Sequence, residues 1–160
     1  MKKNLIFCLV IALASLKPAI AQTAAKAVYV EIGGPGLASI NYDMRLQKKE
    51  DGLGFRVGIG GYNVDGESAL FVPVGLTYLI GKDQRNYFEM GAGVTFVSLN
   101  DGFSSDNNNN HFNNTFGHLY FGYRLQPKNG GFLFRAGIVP VFNSQGFVPY
   151  YAGISFGYKF

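Results

Sequence analysis

Two histidines, His111 and His118, stand seven positions apart in a chain of 160 residues, and they are the side chains best suited to proton transfer or metal ligation near neutral pH. A hydrolytic centre would need a serine and a carboxylate converging on one of them. His118 has no serine beside it in the sequence and no carboxylate at its level, and His111 lies in the asparagine-rich stretch "DGFSSDNNNNHFNN". Two histidines so placed do not form a metal cage, which takes four ligands at fixed spacing. Gly58-Ile59-Gly60-Gly61 has no helix after it and so cannot cradle a phosphate. Asn113-Asn114-Thr115 matches a glycosylation sequon, a chemistry that nothing else in the chain supports. No catalytic residue, metal or cofactor is expected.

The other candidates are charges set singly into alternating runs: Glu31, Asp43, Arg45, Arg56, Glu89, Arg124, Arg135 and Lys159. Each shares its parity with small residues, among them Gly58, Gly60, Gly91, Gly93, Gly122, Gly137, Gly153 and Gly157. The opposite parity reads Ile40, Tyr42, Met44; Phe55, Val57, Ile59; Val72, Val74, Leu76; Met90, Val94, Phe96; Leu119, Phe121, Tyr123; Phe134, Ile138, Phe142. Side chains at every second position share one face of a strand, so each run has a small polar face and an apolar one.

Turn signals divide the elements that must carry these faces into eight: Ala27 to Gly34, Leu37 to Leu46, Leu53 to Val64, Ala69 to Ile80, Tyr87 to Asn100, Thr115 to Gln126, Gly131 to Asn143 and Tyr150 to Phe160. With 22 Gly, 15 Phe and 10 Tyr, the composition favours strands over helices. Most segments are near the roughly 9–11 residues that a tilted strand needs to cross a bilayer. Gly34-Pro35-Gly36-Leu37 suits a type II turn, with proline then glycine at its centre. The links Gln47 to Gly52, Gly81 to Asn86 and Pro127 to Gly130 are short and charged, whereas Asp101 to Asn114 and Ser144 to Pro149 are longer and lie at the other end.

A soluble barrel also alternates, with its apolar face inward. The polar face distinguishes the two cases, because a water-facing exterior would be richer in Lys and Glu and poorer in Gly. Small residues with a few charges fit a crowded interior, leaving the apolar face as a lipid-facing band. Tyr42, Tyr78, Tyr123 and Tyr158 fall where an aromatic girdle would meet one interface.

The start of the chain reads as a secretory leader, with Lys2 and Lys3, an apolar run from Leu5 to Leu16, and a small-x-small site at Ala19-Ile20-Ala21. Residues 1–21 are expected to be cleaved, leaving 22–160 as one barrel domain without cysteine, since the only one is Cys8. Of 14 Lys plus Arg, Lys2, Lys3 and Lys17 leave with it, so the remainder nearly balances 10 Asp plus Glu. That balance gives no electrostatic reason to expect nucleic acid as a partner.

The leader, the eight alternating segments and the terminal Phe156, Tyr158 and Phe160 resemble the small eight-stranded outer-membrane barrels of Gram-negative bacteria, of the OmpX-like and OmpA transmembrane-domain type. The resemblance implies an all-β fold, an eight-stranded antiparallel up-and-down transmembrane β-barrel in the cell outer membrane. It further implies outer-membrane lipid and lipopolysaccharide as surroundings, and the barrel-assembly machinery as a partner that reads the C-terminal aromatics. An architecture carries no substrate with it.

Within that architecture, Asp43 is expected opposite Arg56, and Glu89 near Arg124. A conduction path and a structural plug are both open to such charges, and the plug is expected because an eight-stranded lumen is narrow. Phe103 and Phe112 in the long loop are candidate contacts to an unknown surface partner, to lipopolysaccharide or to the barrel mouth. The expected role is structural or surface-interacting and not enzymatic. The alternatives are a lateral carrier of small hydrophobic molecules, with a gap near Pro73 or Pro140, and a lipid A-modifying enzyme.

Overall fold

The structure is a computed structural model that describes residues 24–64, 67–101 and 114–160. The leader, Phe103, His111 and Phe112 lie outside the described residues. Ten strands follow in chain order: β1 Lys26–Gly33, β2 Ala38–Arg45, β3 Gly52–Val64, β4 Glu67–Ile80, β5 Asn86–Asp101, β6 Asn114–Leu125, β7 Gly131–Ile138, β8 Val141–Asn143, β9 Gly146–Val148 and β10 Ala152–Lys159. Each pairs antiparallel with its neighbours, and β1 pairs β10 from Ala27↔Lys159 to Gly33↔Gly153, which closes the sheet on itself. Among the described residues no helix is long and apolar enough to cross a membrane, a fact that says nothing of crossing by strands.

Ten strands make eight staves. β7 and β8 are one stave broken at Val139-Pro140, and its register against β6 is unchanged across the break, from Phe121↔Ile138 to His118↔Val141. The Leu119 N–H still donates to the Pro140 carbonyl at 2.8 Å, so the proline gives up only its own donor. β9 and β10 form the last stave. Between Val148↔Val141 and Ala152↔Ile138, residues 149–151 oppose only 139–140, so one extra residue bulges there. The last stave was expected to start at Tyr150, which instead sits in this bulge.

Burial alternates strictly along β1, β2 and β10. Tyr29 and Glu31 are 1% and 0% exposed, while Val30 and Ile32 between and beyond them are 52% and 62% exposed. The expected apolar parity faces outward on every stave, with Ile40, Ile59, Leu76, Val94, Phe121 and Ile138 all exposed. An apolar surface running round the whole wall is far larger than the few hundred Å² a soluble monomer exposes. Closure leaves no sheet edge, so backbone hydrogen bonds are satisfied without solvent.

Inward glycines make room for the long side chains. A Cβ at Gly54 would meet the Arg45 guanidinium carbon at 2.2 Å, and one at Gly157 would meet the Val28 carbonyl at 2.1 Å and the Tyr29 Cβ at 2.4 Å.

The link between β1 and β2 forms the expected hairpin but not the expected type II turn. Gly34–Gly36 is a single 3-10 turn closed by the Leu37 N–H on the Gly34 carbonyl at 3.3 Å. Positive φ falls on Gly33 (75°), Gly34 (69°) and Leu37 (57°) and not on Gly36, where a type II turn needs it. The cause is direction. The turn is folded inward, with Gly34, Pro35 and Gly36 buried, Gly34 against the Glu31 carboxylate and Gly36 against Ser39 and Pro73.

A charged lumen as the candidate functional site

Every stave aims its polar parity at the barrel axis, and the expected charges meet there. Glu31 comes from β1, Asp43 and Arg45 from β2, Arg56 from β3, Glu89 from β5, Arg124 from β6 and Arg135 from β7; all are buried. Arg45 Nη2 donates to both Asp43 oxygens at 2.7 and 2.8 Å, and Arg124 Nη2 donates to Asp43 Oδ1 at 2.9 Å. Arg124 Nη1 lies 3.6 Å from Glu89 Oε2. Arg135 holds Glu89 by two parallel bonds of 2.8 Å and reaches Glu31 Oε2 with Nη1 at 3.1 Å. Arg56 Nη2 takes the other Glu31 oxygen at 2.5 Å. The result is one chain of alternating sign across the lumen: Arg45, Asp43, Arg124, Glu89, Arg135, Glu31, Arg56.

Neutral groups complete it. Arg56 donates to Asn41 Oδ1 through Nε at 3.0 Å and Nη2 at 2.9 Å, and Arg45 Nη2 donates to Thr77 Oγ1 at 2.6 Å. The Ser155 hydroxyl donates to Glu31 Oε2 at 3.1 Å. The Arg135 guanidinium carbon stands 4.6 Å from the Tyr29 ring centre and 4.5 Å from that of Tyr120, so two π faces cover the cation that two carboxylates grip. Removing buried ions from water costs several kcal/mol each, and only good geometry with satisfied lone pairs offsets it. The forked Arg135–Glu89 pair supplies that geometry, whereas Arg45 Nε and Arg124 Nε and Nη1 are buried without a hydrogen bond to the protein.

Of the expected neighbours, Asp43 and Arg56 are in register, whereas Glu89 faces Gly122 and meets Arg124 only diagonally, and the bonding differs in both cases. Asp43 is paired with Arg56 across β2 and β3, yet Arg56 bonds Glu31, and Asp43 bonds Arg45 and Arg124. Glu89 does approach Arg124, but its two-bond partner is Arg135. In a narrow barrel a guanidinium reaches staves that share no ladder with its own. Tyr29, Asn41, Thr77 and Ser155 were missed although their inward parity was available to find them.

Lys159 lies apart, at the end of the barrel where β1 begins and β10 ends. It donates to Glu50 Oε1 at 2.8 Å and to the Lys128 carbonyl. Gln126 Nε2 donates to the same Glu50, at 3.2 Å to Oε2 and 3.3 Å to its carbonyl. Glu50 therefore ties the β2–β3 turn to the ends of β6 and β10, a role no strand parity could reveal.

Toward the opposite end the lumen turns apolar. Ala69, Phe71 and Val97 cluster there with Phe116 beside them. His118 lies between the two zones, buried, with Nδ1 3.2 Å from Thr95 Oγ1. No group of three or more His, Cys, Asp or Glu suited to a metal occurs among the described residues.

No family model matches the chain, and no curated protein matches it. Two solved structures are similar. The N-terminal β-barrel domain of Pseudomonas aeruginosa OprF aligns over 87% of this chain and 98% of its own, at 12% identity and a TM-score of 0.58. The outer membrane enzyme PagL aligns over 83% of this chain and 96% of its own, at 16% identity and a TM-score of 0.42. The likeness to the OprF barrel domain is one of fold, and that fold, a closed eight-stranded antiparallel barrel, is the one the sequence resemblance implied.

Proposed function

We propose that the protein is an integral outer-membrane barrel with a closed lumen, acting as a structural and surface-interacting element and not as a channel or an enzyme. The observation that carries this reading is the alternating chain of four guanidinium and three carboxylate groups, which spans the lumen with every member buried. The apolar wall supports the membrane location, and Phe156, Tyr158 and Phe160 on the last stave serve as its assembly signal. His118 supports the non-enzymatic reading, since it faces inward against Thr95, away from any lipid outside the wall. Lipid A masses are expected to be identical with and without expression of the protein.

The surface role falls to residues 102–113, where Phe103 and Phe112 would meet a partner. Photo-crosslinking from a probe at either position in intact cells tests it. A discrete high-mass adduct supports a protein partner; a lipopolysaccharide smear or no adduct removes it and leaves the structural role alone.

A second reading, lateral passage of small hydrophobic molecules, has one specific observation behind it. The β3–β4 ladder is interrupted between Val57↔Val74 and Gly60↔Phe71, beside Pro73, below the apolar zone of the lumen. Pro140 leaves the same two-pair gap against β6, and at both prolines the register is kept. A spin-labelled fatty acid broadened by a second label on the inward side of Phe71, and not by one on Glu89, would favour passage.

A further inference from the structure

The end of the barrel where β1 begins and β10 ends holds a cleft beyond the chain of charges from Arg45 to Arg56. Its volume is about 580 Å³, and three separate turns line it: Lys48, Lys49, Glu50 and Asp51 from β2–β3, Gly81, Lys82 and Gln84 from β4–β5, and Lys128 from β6–β7, with Tyr87 of β5 in its wall. Space of this size suits a small ligand group.

The charges in it do not cancel. Glu50 is already held by Lys159 and Gln126. Among the described residues, Lys48, Lys49, Lys82 and Lys128 make no ion pair, and the nearby carboxylates not already held by a cation are Asp51 and, in the β4–β5 turn, Asp83, so positive charge stays in surplus. Four ammonium groups on one rim repel each other unless an anion lies between them.

Two further features separate this cleft from an ordinary solvated lysine surface. Tyr87 is 2% exposed, and its hydroxyl is buried without a partner in the protein, a donor kept next to the cleft. The three turns are also pinned. Glu50 anchors the first and the Lys128 carbonyl, bonded by Lys159, anchors the third. Asp83 ties the second by accepting from the Arg85 and Asn86 N–H groups at 3.1 and 2.7 Å. A rim held this way loses little entropy on binding.

We infer that this cleft is an anion site for a phosphate group of more than one negative charge, a phosphomonoester or pyrophosphate, held by Lys48, Lys49, Lys82 and Lys128 with the Tyr87 hydroxyl as a neutral donor. Lysine binds phosphate as a point charge that needs no planar fork, which suits four flexible cations around one polyvalent anion. The same chemistry could arrive on a soluble phosphate or on a lipid headgroup.

The test is titration calorimetry of the full barrel, folded in a zwitterionic detergent, with inorganic pyrophosphate. Wild type should bind saturably, and more weakly as NaCl is raised. The triple variant Lys48→Gln, Lys82→Gln, Lys128→Gln should lose roughly tenfold in affinity or more, each lost charge counting for a few-fold. Tyr87→Phe should lose about threefold, the lower range for one neutral hydrogen bond. Lys26→Gln, outside the cleft, should change nothing, and retained heat-modifiable gel mobility shows that each variant folds. In a second arm, native mass spectrometry from nanodiscs asks whether wild type, and not the triple variant, keeps phosphatidic acid, a lipid phosphomonoester, in preference to phosphatidylcholine. Lipid retention assigns the site to a headgroup, and pyrophosphate binding without it assigns the site to a soluble anion. No saturable binding in either arm, or equal binding by the triple variant, overturns the inference.

Discussion

Arg135 grips Glu89 through two parallel 2.8 Å bonds, although the two residues sit on β7 and β5, staves separated by β6. The same guanidinium reaches Glu31 on β1 at 3.1 Å, so one side chain ties three staves across the lumen. Replacing it leaves two buried carboxylates short of a partner. Arg135→Leu is expected to destabilise the barrel by about 3–5 kcal/mol, the usual result of breaking a buried ion pair from one side. Arg135→Lys should recover only part, because an ammonium cannot make the fork. Urea unfolding in lipid vesicles, followed by gel mobility, measures both.

The wall makes the opposite demand. Ile40 faces outward in the middle of β2, paired with Val30 on one side and Ile59 on the other. Ile40→Arg should cost about 2–4 kcal/mol in a bilayer, the range for a cation near the midplane of a barrel wall. A barrel whose exterior met water would tolerate or welcome that change, so the same vesicle unfolding assay separates the two.

How much of this was legible follows from what fixes each feature. The period of two placed Glu31, Asp43, Arg56, Glu89, Arg124 and Arg135 inside before any coordinates, because parity in a closed sheet has only two outcomes. Register across the short β2–β3 turn likewise set Asp43 opposite Arg56. Bonding was not legible, because Arg56 reaches Glu31 over a curvature that sequence distance does not encode. Glu50 was hidden for a different reason: a turn residue has no parity, and only the contacts with Gln126 and Lys159 show that it ties its turn to the ends of β6 and β10. The inward fold of Gly34–Gly36 was hidden too, since glycine permits several turns and the packing against Glu31 and Pro73 selects one.

Gly157 tests the crowding of the interior. Its position leaves 2.1 Å between a Cβ and the Val28 carbonyl, which is backbone and cannot swing away. Gly157→Ala is expected to cost about 1–3 kcal/mol, as for other overpacked sites. Gly146→Ala, where a Cβ would meet nothing within 4 Å, should be close to neutral in the same unfolding assay.

In the β4–β5 turn, Asp83 accepts from the Asn86 side chain and from two backbone N–H groups, and these bonds hold its carboxyl below the usual range. A depressed value means stability that is present above the unfolded pKa, about 4 for aspartate, and lost as pH falls through the folded one. Asp83→Asn should therefore flatten the acid limb of stability against pH, read from urea midpoints between pH 3 and 6.

The most direct measurement is single-channel recording of the full barrel in planar bilayers. A lumen closed by the chain from Arg45 to Arg56 predicts a silent trace for wild type, and for Glu89→Gln, which keeps the shape and removes one charge. A steady ohmic conductance in wild type, whether or not Glu89→Gln abolished it, would contradict the closed lumen and make the charged chain a path for ions.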